Sequence, residues 1–156
     1  MTTDRDRSDR DRRRLRDYIP RPTEYLSAEI LADGIEVTVD GPEVVEQDSP
    51  ATFVITFKNR FPFTIKLPVK SRPWTWSIDG IRDGDVAEPE PDGPAAEPFT
   101  ISSRESETVQ QYWSGRVRRR PDGPFEPLEK GQHDVSVVVN APVEDPPRGT
   151  LDFKIE

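Results

Sequence analysis

The sequence predicts an all-β protein: a two-sheet antiparallel sandwich of about eight strands with a disordered, charged N-terminal tail. Three features lead there. After residue 22, apolar and polar residues alternate in short runs, the signature of half-buried strands. Glycines and prolines, 9 and 17 among 156 residues, punctuate those runs, as many short strands require. The body carries no convincing helical period. The length suits one domain plus appendages, divided here into a tail over 1–22 and a sandwich over 23–156.

The tail holds eight arginines and five aspartates, a net of +3, and almost nothing apolar before Tyr18. Such a segment buries too little to offset the entropy of ordering, so disorder is expected at least to Asp17. Its spaced Asp/Arg pairs would support a transient helix by only about 0.2–0.5 kcal/mol each. Pro20 and Pro22 stop any helix and make the entry to the domain extended. With −8 on the whole chain, removing the tail's +3 leaves −11 on the body.

Two readings stand for residues 24–31. As a strand, Tyr25 to Ile30 would lead through Asp33-Gly34 into Ile35, Val37 and Val39, because Asp-Gly between alternating runs signals a hairpin. As a helix, the same residues would form a short segment of about two turns before that strand. Gly41-Pro42 is a turn. Residues 51–58 make the clearest strand, with Phe53, Ile55 and Phe57 on one face. Phe63, Ile65 and Leu67 make the next, and Trp74, Trp76 and Ile78 another, ended by Asp79-Gly80. Residues 83–98, rich in Pro, Glu, Asp, Gly and Ala, read as a mobile surface loop. Phe99 and Ile101 resume a short strand. Residues 107–117 form a longer one with Val109, Gln111 and Trp113 on one face. A second loop covers 118–131. Val135, Val137 and Val139 mark a strand over 133–140, and Leu151, Phe153 and Ile155 mark the last.

Composition sets the limits on chemistry. Without cysteine there is no disulfide, zinc–thiolate site or cysteine nucleophile, which fits a reducing compartment. Apolar residues are 32% and charged residues 33%, so the surface is unusually charged for a globular domain. The lysines are only Lys58, Lys66, Lys70, Lys130 and Lys154. An acidic, lysine-poor surface suits high salt, where the Debye length falls to about 3 Å and self-repulsion costs little. No stretch approaches the ~18 apolar residues of a membrane span. No apolar stretch follows Arg12, Arg13 and Arg14, as a secretory or twin-arginine signal would need. The expected location is the cytoplasm, with no membrane association.

Two segments carry a family resemblance. The run "ATFVITFKNR" over 51–60 resembles the second strand of prokaryotic immunoglobulin-like domains, which ends in Asn. Residues 99–140 read "FTISSRESETVQQYWSG", a loop, then "FEPLEKGQHDVSVVVN". This is similar to the bacterial intracellular proteinase inhibitor family: a strand, a Gly/Glu/Ser turn, a strand ending in Trp, then a Gly-preceded strand. The chain also resembles uncharacterised conserved domains of haloarchaea. The resemblance implies an immunoglobulin-like sandwich over roughly 34–156. It also suggests proteinase inhibition, for which no rigid exposed inhibitory loop is identified.

Catalytic residues are not evident. His133 is the only histidine, there is no G-x-S-x-G elbow, and no phosphate-binding glycine loop. A half-exposed edge position is expected for His133. Asp79, Asp83 and Asp85 surround Gly80 and Gly84, but the calcium-loop spacing is not met, so a solvated acidic loop is expected and no metal or cofactor is assigned. Trp74, Trp76 and Trp113 are read as core, with Trp113 the best alternative as an interface residue. Arg116, Arg118, Arg119 and Arg120 form the basic cluster of the acidic body. With Trp113 they are the candidate binding residues; pairing of the arginines with the acidic 83–98 loop is the competing reading, and the favoured one. Nucleic acid is disfavoured by the body's −11 and by the collapse of phosphate affinity at high salt. The expected function is a non-enzymatic binding or assembly module whose partner is another protein; the alternatives are an intracellular proteinase inhibitor and, behind it, nucleic-acid binding through the arginine-rich arm. Oligomeric state is not legible.

Overall fold

The computed structural model describes residues 26–156. The disordered arm expected over 1–22 therefore lies outside the described residues.

Alternating burial generates the strands. In order they are β1 (Ile35–Asp40), β2 (Val44–Val45), β3 (Ala51–Asn59), β4 (Ile65–Leu67), β5 (Trp74–Ile78), β6 (Ile81–Arg82), β7 (Phe99–Ile101), β8 (Ser106–Trp113), β9 (Arg116–Val117), β10 (Glu126–Pro127), β11 (Gly131–Val139) and β12 (Arg148–Ile155). Eight of these run three residues or longer; the other four are two-residue pairings. In β3, Ala51, Phe53, Ile55, Phe57 and Asn59 are all buried while Thr52 and Lys58 face water.

The main strands form two sheets, ordered β1-β3-β8 and β2-β12-β11-β5-β6. Within each the long strands pair antiparallel, and β2 joins β12 in parallel. The chain thus switches sheets between β1 and β2. Strand order A-B-E opposite A′-G-F-C is the immunoglobulin-like arrangement. The protein is an immunoglobulin-like all-β sandwich.

Aromatic rings fill both ends of the core. Phe53, Trp113 and Phe153, from β3, β8 and β12, lie with ring centres 5.8 to 6.4 Å apart. At the other end Phe57 sits 5.8 Å from Trp74 and 5.3 Å from Phe99. Trp76 and Trp113 are buried and Trp74 half-buried. The core reading of the tryptophans holds, and Trp113 is not presented to a partner.

Of residues 24–31, the described part, 26–31, resolves against the hairpin. Ala28–Asp33 is a helix, α1, whose N-cap Ser27 accepts a hydrogen bond from the Ile30 N–H. Ala28, Glu29, Leu31 and Ala32 are good helix formers, and Leu31 and Ala32 bury against the sandwich. Gly34 is its C-cap at φ −81°, a conformation open to any residue. Space is what it supplies: a Cβ there would meet the Phe61 ring at 2.5 Å. Asp79-Gly80 behaves as the Asp-Gly rule expects, with φ 48° and 80° in the two-residue hairpin joining β5 to β6.

Two further expectations are corrected. The strand read over 107–117 breaks at Ser114-Gly115, where Gly115 has φ 90°. Residues 83–98 are tied down rather than free. Arg118 N–H donates to the Gly84 carbonyl, Val86 N–H donates to the Arg118 carbonyl, and Lys70 bridges to Pro94. No helix among the described residues is long and apolar enough to cross a membrane.

Candidate functional site

Three of the four arginines of the cluster pair within the molecule. Arg118 grips both carboxylate oxygens of Asp85 at 2.6 and 2.7 Å, and its guanidinium lies 4.8 Å over the Phe125 ring. Arg116 makes a matching two-point contact with Asp48 at 2.6 and 2.9 Å. These guanidiniums hold the Asp48 and Asp85 carboxyls below their usual range, mainly through the side-chain hydrogen bonds. Arg119 reaches Glu129 at 3.3 Å. Arg120 is exposed, with no carboxylate partner among the described residues. The competing reading was therefore right for Arg118, whereas Arg116 and Arg119 find carboxylates outside the 83–98 loop.

Trp113 is 2% exposed, and its indole N–H donates to the Arg116 carbonyl at 3.0 Å. It supports the cluster from beneath and does not contact solvent.

His133 is not at an edge. It sits on β11 between β12 and β5, with its ring packed against Phe153. One ring nitrogen lies 2.6 Å from the Asp79 carboxylate and the other 2.6 Å from the Glu129 carbonyl. Two acceptors facing two nitrogens are both satisfied only by the imidazolium. Burial alone pushes the pKa down; the Asp79 and Glu129 contacts together outweigh it and raise it above the ordinary value. Beside it, burial first and then the Asp79 charge push the Asp134 carboxyl up. Asp79, Asp83 and Asp85 do not converge: they face His133, Arg72 and Arg118 respectively.

The feature that single-strand reading missed is an edge. On β3, Arg60 N–H donates to Gly34 and Asn59 N–H donates to Glu105. Even-numbered residues of β3 therefore bond towards β1 and odd-numbered ones towards β8. The register then points the backbone N–H and C=O of Ser106, Thr108, Gln110 and Tyr112 away from the sheet. Among the described residues no strand lies on that side. The Tyr112 carbonyl accepts from the Gln111 side chain at 3.0 Å, the donation an open edge takes when no strand supplies one. Most devices that blunt natural edges are missing: β8 spans eight residues, with no proline, no lysine and a regular register. Its one charge, Glu107, stands opposite Phe57 on the core side of the sheet and is the single guard the strand carries.

On the outer face the β8 row (Ser106, Thr108, Gln110, Tyr112) is neutral, while Glu36 and Asp40 on β1 and Lys58 on β3 carry its charge. Thr38, Thr56 and Thr108 stand in one row across β1, β3 and β8, with the last two hydroxyls 3.4 Å apart. Tyr112, 63% exposed, is the most exposed large side chain of the face.

A family model of unknown function, DUF7974, matches residues 24–156. The chain belongs to this family. No curated protein matches the sequence. Among solved structures, the chain is similar to the CARDB domain of PF1109 from Pyrococcus furiosus. Identity is 14%, coverage 78% of this chain and 94% of that one, and the TM-score 0.47. The same domain in complex with di-metal ions gives 16% identity, coverage of 78% and 91%, and a TM-score of 0.45. The alkylpurine DNA glycosylase AlkC of Pseudomonas fluorescens gives 15% identity over 79% of this chain and 30% of that one, TM-score 0.44. Likenesses at this level carry no inference about function, and the fold class rests on the chain's own strand order.

Proposed function

We propose that this member of the family is a non-enzymatic protein-binding or assembly module that takes an extended strand of a protein partner on the outer edge of β8. The observation that carries the reading is that edge: four residues with outward backbone groups on an eight-residue strand that has one charge and no proline or lysine. Strand addition uses those groups for affinity and alternate side chains for specificity. Here the specificity face would be Ser106, Thr108, Gln110 and Tyr112. The predicted arginine site contributes less, because Arg116 and Arg118 are engaged and Trp113 is buried.

Gln110→Pro removes one central outward N–H and leaves the bonds to β3 untouched. The expected result is loss of a co-purifying protein from native high-salt extract, with an unchanged circular dichroism spectrum. Retention of the same protein by the variant would refute docking at β8.

A further inference from the structure

We infer that the strand received by β8 is β8 of a second copy, giving a two-fold dimer with a continuous sheet β1-β3-β8-β8-β3-β1. This rests on the edge reading above and adds the partner. Only certain registers let outward groups meet outward groups: both facing residues must be even-numbered on an antiparallel pair. Centring the pair on Val109 satisfies this. Ser106 then faces Tyr112, Thr108 faces Gln110, Glu107 faces Gln111, and Val109 faces itself. Glu107, the one charged residue of the strand, then meets a neutral one, and all four outward-facing residues are used. The neighbouring registers fare worse: centring on Thr108 sets Glu107 against Val109, and centring on Gln110 leaves Ser106 beyond the end of the facing strand.

The chemistry at the axis fits a copy of the same strand. Val109 is half-buried against the core, so a second Val109 beside it covers apolar surface that β8 leaves at the sheet margin. Glu107 gains a neutral amide donor from Gln111. Elsewhere the body carries −11 over residues 23–156, which disfavours contact between copies. The β8 strip, with one carboxylate in eight residues, is where two such bodies can approach.

Two measurements on the full chain decide the matter. Sedimentation equilibrium at low and high salt is expected to show a concentration-dependent dimer. Gln110→Pro removes one strand bond on each side of the two-fold axis and should weaken the dimer by roughly a hundredfold, about 1.4 kcal/mol for each bond. The chain has no cysteine, so one introduced thiol reports the register unambiguously. Val109→Cys faces its copy across a pair that exchanges no hydrogen bonds, with Cα atoms about 4.5 Å apart, within disulfide reach. It should crosslink under mild oxidant, whereas Tyr112→Cys, facing Ser106, should not. A wild-type chain that stays monomeric at high micromolar concentration overturns the second-copy inference, as does equal crosslinking at Tyr112→Cys. The outcomes also separate the two levels. If the wild type is monomeric but Gln110→Pro loses a foreign protein, the edge binds something other than a copy. If the variant changes neither, the edge itself is not the site.

Discussion

β1 and β8 flank the same central strand, yet their outer edges meet different surroundings. The outward carbonyl of Val37 on β1 is covered by β12, where a Cβ on Gly149 would lie only 2.6 Å from it. The outward groups of Ser106, Thr108, Gln110 and Tyr112 on β8 face no strand among the described residues. The other sheet blunts both of its margins with two-residue strands, β2 and β6. Beyond β6 the 83–90 stretch is tied by Arg72–Asp83, Arg82–Glu90 and Arg118–Asp85 pairs. Charge in this molecule is concentrated where the chain closes on itself, and the neutral strip lies where the sheet is open.

The largest effect expected is at the entrance to β8. Asn59 is fully buried. Its side-chain amide donates to the carbonyls of Phe63, Ile101 and Ser102, and its oxygen accepts from Phe61 N–H. Asn59→Ala would orphan those groups and cost about 3 kcal/mol by chemical denaturation. It would also loosen the 102–105 turn that delivers β8. A cost below ~1 kcal/mol would show that β8 is placed by other means. On the closed edge, Gly149→Ala drives a methyl into the Val37 backbone, for about 2 kcal/mol of overpacking. On the open edge, Thr108→Ala in dilute protein should change stability by less than ~0.5 kcal/mol. Comparable losses at 108 and 149 would erase the contrast between the edges.

Between these lies a pH effect at the closed side. His133 has a raised pKa in the fold, so its stabilisation is complete below its ordinary value and is lost as pH rises through the raised one. Asp134 acts in the same sense, since its carboxyl is also raised. Asp48 and Asp85 act oppositely: their contribution is present above the usual carboxylate range and disappears as pH falls through their lowered values. Thermal melts of the wild type should therefore weaken as pH climbs past ~6.5. His133→Gln should remove most of that slope. An unchanged slope would mean that Asp79 and Glu129 do not hold the imidazolium.

Much of the fold was legible because the core strands are local patterns. Phe53-Ile55-Phe57, Trp74-Trp76-Ile78 and Val135-Val137-Val139 each alternate over enough residues to declare a face. α1 was ambiguous because six residues fit either period, and Asp33-Gly34 imitates a hairpin turn while serving as a helix end under Phe61. The arginine cluster was legible as a cluster, and the 83–98 loop as the partner of Arg118; Asp48, 68 positions from Arg116, was not. His133 was misplaced for the same reason: Asp79 arrives from another hairpin, 54 positions away. Nothing in "SETVQQYW" distinguishes an edge strand from a central one. That depends on which strands pair, and only the hint of low charge and an exposed tyrosine survives in the sequence.

The openness of β8 is best tested by amide hydrogen exchange, residue by residue, in protein dilute enough to be monomeric. Glu107, Val109, Gln111 and Trp113, bonded to β3, should be protected, while Ser106, Thr108, Gln110 and Tyr112 should exchange nearly as fast as loop amides. Raising the concentration should then protect the second set. Uniform protection along β8 in the dilute monomer would mean that the chain covers this edge itself, and the proposed docking strand would not be available.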